Sequence, residues 1–384
     1  MNKHKRIAFF TNFVSPYIND LFNSLADYSD LDFEVIACVD KEGDRKWKMD
    51  YLNNKKYKLN ILPDAKIFEI KKQNRFFYLG GLSFIKRIIK KDFDLIIFKG
   101  GTRFIGPICA YLCKFMGIKT ILWEQNSIEL TNTPLKKWAK NLYINDKLFS
   151  GFISYGSHVK NLILKLNPNS KKKIFFALSP IDNNKYKKRY LKLKNKKSLI
   201  KKQIGLKADE KVILFTGRLV EEKNLFNFID AISYIKNNND FKFKCLLVGG
   251  GKLEKDLEQY VKNLEMQDLI QFVPFKEFNK LTMFYAAADV FVLPSSREVW
   301  GLVVNEAMNF SLPVIVSNKV GCASDLIKHG FNGYVYDIND NKLLAEYIVK
   351  ALNNSEELGK NSFEFIKNIN FNQICNSILK STEV

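Results

Sequence analysis

Short apolar runs of strand length alternate with amphipathic stretches of helical period along nearly the whole chain. This alternation limits the fold more than any other feature. In the first half, RIAFF, FEVIACV, KIFEI, DLIIF, KTILW and GFISY are interspersed with helical patterns at 16–28, 82–91, 103–116 and 156–166. In the second half, KVILFTG, KCLLVGG, LIQFV, VFVLP, PVIVS and GYVYD alternate with helical stretches near 223–237, 251–265, 278–287, 301–310 and 340–353. Strands apolar on both faces belong in a parallel sheet covered by helices on either side. A chain of 384 residues exceeds one ordinary core. The expectation is an α/β protein with two doubly wound, Rossmann-like domains facing across a cleft. In open parallel sheets, ligands bind outside the carboxyl ends of the strands.

Charge divides the chain unevenly. Residues 1–184 hold 31 Lys and Arg against 17 Asp and Glu, residues 185–202 hold ten basic residues and no acid, and residues 203–384 hold 20 against 23. The total is +21, with a basic first half and a nearly neutral second half that should face different partners. A biased codon usage also explains lysine abundance, since Lys outnumbers Arg 53 to 8. The composition break places a first domain at 1–184, a basic interdomain linker and helix start at 185–202, a second domain at 203–354 and a helical tail at 355–384.

The six cysteines are scattered, without a C-x-x-C pair, and Cys109 and Cys113 suit buried small hydrophobes in a helix. Three widely separated histidines argue against a zinc site. A reducing cytoplasm fits this cysteine usage. The start MNKHKRIAFFTNFV imitates a signal peptide, but its apolar run is short and broken by Thr11 and Asn12, so a buried first strand is expected. No stretch reaches the roughly 18 apolar residues of a spanning helix.

Two constellations carry chemistry. The first is Thr216-Gly217-Arg218-Leu219-Val220-Glu221-Glu222-Lys223-Asn224, following KVILFTG. Gly217 permits a tight turn. Arg218 offers a planar fork for phosphate oxygens and Lys223 a point charge, so together they can neutralise a diphosphate and stabilise it as a leaving group. Two exposed basic residues on a loop are the bland alternative, weakened by the scarcity of arginine. The second constellation runs from Leu293 to Met308, with Glu298 on a loop, Gly301 at a helix start and Glu306 inside the helix. Free amides at that start, around Leu302 and Val303, suit a phosphate or sugar oxygen, and Gly301 permits close approach. Glu306 can accept two hydrogen bonds from a cis-diol such as ribose, and Glu298 can reach the sugar. A helix-cap or solvated role is the alternative for either glutamate.

The run REVWGLVVNEAMNFSLPVIVSNKVG closely resembles the E-x7-E region of family 4 glycosyltransferases, which have the GT-B fold. GRLVEEKN resembles the same family's diphosphate-binding loop, and the likeness continues through VGGGKLEKDL, FVPFKEFNKLTMFYAAADVFVLPSS and HGFNGYVYD, covering 205–353. The resemblance implies retaining transfer from a nucleoside-diphosphate sugar, UDP being the nucleotide expected, with no cofactor and no metal at the phosphates. It places Arg218 and Lys223 on the diphosphate and Glu306 on the ribose. Glu298 and the amides around Trp300–Val303 would hold the sugar and distal phosphate. Gly249 and Gly250 match a loop near the nucleotide, although glycines there also serve purely structural ends. Val273 and Phe275 lie in a segment matching the one that supports the base. Trp300 shapes the sugar pocket or packs. The tail, as in relatives, is expected to cross back to the first domain.

The first half follows the family in plan rather than in motifs. Its candidate acceptor-side residues are Ser15 and Tyr17 after the first strand, Gly100 and Gly101 after DLIIF, and Glu124 after KTILW. Glu124 stands where many relatives place a histidine; a sugar contact and a structural role are both open. The basic segment KYKKRYLKLKNKKSLIKK admits a solvated linker and helix face, a membrane-surface patch or a nucleic-acid site, the last without any recognised motif. The reading preferred is loose attachment to the inner face of the plasma membrane, where the acceptor is a hydroxyl of a lipid-linked surface glycan and no nucleic acid takes part. A sugar-nucleotide epimerase or hydrolase of the same fold is the nearest rival.

Overall fold

The computed structural model describes residues 5–28, 31–40, 49–70, 75–100, 105–125, 143–178 and 181–384. The chain divides into two units, Met1–Ser179 with Phe371–Val384, and Pro180–Asn370.

The first unit contains β1 (Ile7–Thr11), β2 (Phe33–Ala37), β3 (Lys58–Ile61), β4 (Lys66–Ile70), β5 (Arg75–Leu79), β6 (Leu95–Lys99), β7 (Lys119–Glu124), β8 (Gly151–Ser154) and β9 (Ile174–Phe176). Among the described residues its main sheet is parallel, in the order β3-β2-β1-β6-β7-β8-β9. Adjacent residues of β1 show why the strands are apolar throughout. Phe9 meets Phe22 of the helix Pro16–Tyr28 at 5.0 Å, whereas Phe10 stacks at 4.4 Å on Phe84 of the helix Leu82–Ile89. Successive side chains point to opposite faces, so both faces of the sheet are covered. KIFEI departs from the expected plan. As β4 it pairs antiparallel with β5 in a separate two-stranded sheet. In the sequence Lys66 and Glu69 break its apolar run, unlike the continuous runs of the parallel strands.

The second unit contains β10 (Lys211–Arg218), β11 (Phe243–Gly250), β12 (Ile270–Val273), β13 (Val290–Leu293), β14 (Val314–Ser317) and β15 (Gly333–Tyr336). All its pairings are parallel, in the order β12-β11-β10-β13-β14-β15. Strand order reverses between β10 and β13, which makes their carboxyl ends the switch point where a ligand crevice is expected.

Two expected boundaries are corrected. The segment 185–202 is part of the second unit, in the helices Asn183–Leu193 and Lys197–Gln203. Several of its charges hold that unit together. Arg189 donates to Thr282 Oγ1 at 3.0 Å and to the Asn279 carbonyl at 2.9 Å. Lys197 and Lys201 meet the buried Asp289 carboxylate at 2.7 and 3.4 Å, and the Val212 amide donates to it at 2.7 Å. The tail is divided as well. Helix Ser355–Ile366 stays on the second unit, where Ser362 donates to the Asn332 carbonyl at 2.8 Å. Helix Phe371–Ser381 packs in the first unit against Pro16–Tyr28, and Tyr28 donates to Asn376 Oδ1 at 2.9 Å.

Burial alone would raise the Asp289 carboxyl, but Lys197, Lys201 and the Val212 amide outweigh it and hold it below its ordinary value. Its stabilisation is therefore complete above the unfolded carboxyl pKa and is lost as pH falls through the lower folded value. Asp289→Ala should cost about 3 kcal/mol at neutral pH by leaving two ammonium groups unpaired. Urea unfolding along a falling pH series should show the gap to the parent narrowing; a pH-independent gap would exclude this ion cluster as its cause.

Candidate functional site

Both sequence constellations end at the switch point of the second unit. β10 delivers Gly217 and Arg218, and the chain then makes a single 3₁₀ turn, Glu221–Lys223, before helix Leu225–Asn238. β13 delivers the loop that carries Glu298 into helix Leu302–Asn309. The two loops are stitched together. The Ser296 and Arg297 amides donate to the Glu222 carbonyl at 2.9 and 3.4 Å. Lys223 Nζ forms an ion pair with Glu298 Oε2, with side chains only 14% and 20% exposed. Arg218, at the end of β10, is exposed.

The glycines mark close backbone approaches. Gly217 and Gly249 face each other in the β10–β11 register, and a Cβ on Gly249 would lie 1.8 Å from the Gly217 carbonyl oxygen. Gly249 is thus explained by strand packing, whereas Gly250 is half-buried beside Arg218 in the same register. Gly301 has φ 97° at the start of Leu302–Asn309, and a Cβ there would come within 2.9 Å of Leu293 Cδ2. No side chain caps this helix. Leu302 and Val303 are half-buried at its first turn. Val273 is buried at the end of β12, and Phe275 is exposed just beyond it.

Two side chains of the second constellation are buried. Trp300 is 2% exposed, and its indole N–H donates to Asn305 Oδ1 at 3.0 Å, so the ring packs in the core rather than lining a sugar pocket. Glu306 is 1% exposed and does not present its carboxylate to solvent. Tyr186 donates to its Oε1 and Tyr285 to its Oε2, each at 2.7 Å. Because the Tyr285 hydroxyl proton goes to Glu306, the Thr216 hydroxyl donates in the 2.7 Å bond between Thr216 and Tyr285. A buried carboxylate requires such donors. A diol could reach Glu306 only by taking the place of one of these hydroxyls.

Sequence reasoning missed this network, because Tyr186 lies 120 positions from Glu306. It also missed Asn224 and Ser295. Asn224 follows Lys223 in the left-handed region, with φ 54°. Among the described residues, its Nδ2 and the Ser295 hydroxyl are buried without a hydrogen-bond partner. Unpaired buried donors beside a basic loop are a mark of a polar ligand site. Beneath the loop, burial first and Glu298 second push the Cys322 thiol well above its ordinary value, consistent with a packing role.

In the first unit, Ser15 accepts from the Ile18 amide at 3.4 Å and so serves the start of helix Pro16–Tyr28. Tyr17 is half-buried in its first turn. Gly100 is buried, and its amide donates to the Trp123 carbonyl at 2.8 Å. Glu124 ends β7 buried, its Oε1 accepting from the Gln125 amide at 2.9 Å. Gly101 lies outside the described residues.

The family model described as Glycosyl transferases group 1 matches residues 196–368. The capsular polysaccharide biosynthesis glycosyltransferase CapM of Staphylococcus aureus is 28% identical over 251 residues, covering 62% of each chain. The Escherichia coli UDP-Gal:alpha-D-GlcNAc-diphosphoundecaprenol alpha-1,3-galactosyltransferase is 36% identical over 150 residues, 38% of each chain. The chain spans about half the length of the curated relatives it matches. In fold, it matches the Anabaena protein HepE, solved in complex with UDP, with a TM-score of 0.76 over 98% of this chain and 99% of that one, at 17% identity. Residues 196–368, which carry all the loops at the switch point, match the model of the glycosyl transferases group 1 family, in a chain whose two parallel α/β units have the GT-B fold.

Proposed function

We propose that the chain transfers a sugar from a nucleoside-diphosphate sugar, with UDP as the nucleotide, to a hydroxyl of a lipid-linked cell-surface glycan, with retention at the anomeric carbon. The observation that carries this reading is the stitching of the Arg218–Lys223 loop to the Glu298 loop at the β10/β13 switch point. The UDP-bound Anabaena structure and the relatives named for capsule and undecaprenol-linked substrates support it.

The chemistry follows from the charges. Without donor, Lys223 and Glu298 neutralise each other. An incoming diphosphate competes for Lys223 and adds Arg218, whose fork binds phosphate oxygens bidentately. Glu298 is then released to accept hydrogen bonds from the sugar. As the anomeric C–O bond breaks, its electron pair stays on the diphosphate, where both basic groups stabilise the added charge. The acceptor oxygen forms the new bond on the same face, and its proton passes to the departing phosphate oxygen. Two basic side chains take the part a metal would play at the phosphates. At the nucleoside, ribose hydroxyls take the place of the Tyr186 hydroxyl on Glu306.

Lys223→Ala should weaken binding of UDP and pyrophosphate alike by about tenfold, the scale of one charge-assisted contact. Glu306→Ala should weaken UDP more than pyrophosphate, while Tyr186→Phe, which removes the competing hydroxyl, should leave UDP binding intact or tighter. Calorimetry on the three variants checks this. UDP affinity unchanged in both Lys223→Ala and Glu306→Ala would overturn the site. Sugar transfer should also survive a strong chelator; loss of donor binding on chelation would refute the metal-free reading. Donor consumption or isomerisation without any acceptor would favour the epimerase or hydrolase alternative.

A further inference from the structure

The first unit presents an apolar surface that its own core does not use. Helix Ile105–Met116 buries Ile105, Cys109, Ala110 and Cys113 on one side. On its other side Ile108, Tyr111 and Phe115 project outward at spacings of three and four residues, which places them in one stripe. The helix is therefore apolar nearly all round, a pattern found when a helix is buried or meets lipid. The neighbouring helix Leu82–Ile89 packs against it and behaves alike. It buries Phe84 and Ile88, while Leu82 and Ile89, seven residues apart, face outward. Of the thirteen exposed large apolar side chains among the described residues, these two helices carry five, including the three most exposed, Phe115, Leu82 and Ile108, at 86%, 66% and 60%. Single exposed apolar residues need no explanation, but a contiguous group does.

Charge selects the occupant. Lys86, Lys90, Lys91 and Lys114 stand exposed on or beside the two helices. None of them has an ion pair among the described residues. Neither 82–91 nor 105–119 contains an acidic residue. Two copies of such a face would repel each other, whereas an anionic lipid surface satisfies both the apolar stripes and the ammonium groups. Among the described residues no helix is long and apolar enough to cross a membrane, so the contact would lie in the interface plane.

We propose that the outer face of helices Leu82–Ile89 and Ile105–Met116 docks the protein on an anionic bilayer, with Phe115, Ile108 and Leu82 entering the headgroup region and the four lysines meeting lipid phosphates. The surface is read from the first unit alone and stands independently of the donor assignment.

Flotation of the full chain with vesicles tests it, using phosphatidylcholine alone and phosphatidylcholine mixed with phosphatidylglycerol. The mixed vesicles should bind at least about tenfold more protein than the neutral ones, with loss in high salt. Ile108→Ser with Phe115→Ser, and separately Lys86→Glu with Lys114→Glu, should each reduce binding by about tenfold. Melting temperature and circular dichroism should stay those of the parent, since all four side chains are exposed. Binding unchanged in both double variants, or absent in the parent, would overturn the proposal. So would light scattering that shows a dimer dissolved by Ile108→Ser with Phe115→Ser, which would make a second copy the occupant.

Discussion

The ion pair between Lys223 and Glu298 joins two loops that leave neighbouring strands at the point where strand order reverses. Each loop alone is a surface turn. Joined, and reinforced by the Glu222 carbonyl holding the Ser296 and Arg297 amides, they bring a cation and a carboxylate to the ends of β10 and β13. Such a pair is weak as a stabilising device, because the cost of taking both largely buried charges out of water offsets much of their attraction. That weakness makes it exchangeable. A ligand bearing two phosphates offers Lys223 a stronger partner than a single carboxylate, so the fold keeps its cation poised without committing it.

Beneath the loops, the backbone is fixed far more rigidly. The β10–β11 ladder continues to Gly217–Gly249 and Arg218–Gly250, and at Gly249 any side chain would run into the Gly217 carbonyl. Thr216, the last residue before this glycine turn, hydrogen-bonds Tyr285, which in turn holds Glu306. The Glu306–Tyr186 bond adds helix Asn183–Leu193 to the same buried network. A firm floor under an exchangeable ion pair positions the loops while leaving their charges available.

Much of this was legible in the sequence. Continuous apolar runs such as KVILFTG and KCLLVGG became central parallel strands, because only a sheet covered on both faces buries them. Arg218, Lys223, Glu298 and Gly301 can be singled out as candidates because strand-end loops keep their chemistry within short stretches, and the fold puts both loops at the ends of β10 and β13. What escaped depends on contacts far apart in sequence. Nothing in the spacing of Glu306 says that Tyr186 and Tyr285 converge on it, and Trp300 could equally have faced a sugar or the core. The lysine-rich stretch was misplaced as a linker because charge count is blind to partners. Asp289 draws Lys197 and Lys201 inward, and Arg189 spends its guanidinium on helix Phe278–Ala287.

The helix Phe371–Ser381 has a further consequence. It closes over β8 and β9 and lies along Pro16–Tyr28, so the first unit is assembled from two segments that flank the second unit in the sequence. During synthesis that unit waits, short of one covering helix, until the second unit has been made. A fragment cut at the first crossing would leave the ribosome with bare apolar surface where Ile374, Cys375 and Ile378 belong. Connectivity thereby makes the apolar surface of residues 5–178 wait for a helix that is translated only after the second unit.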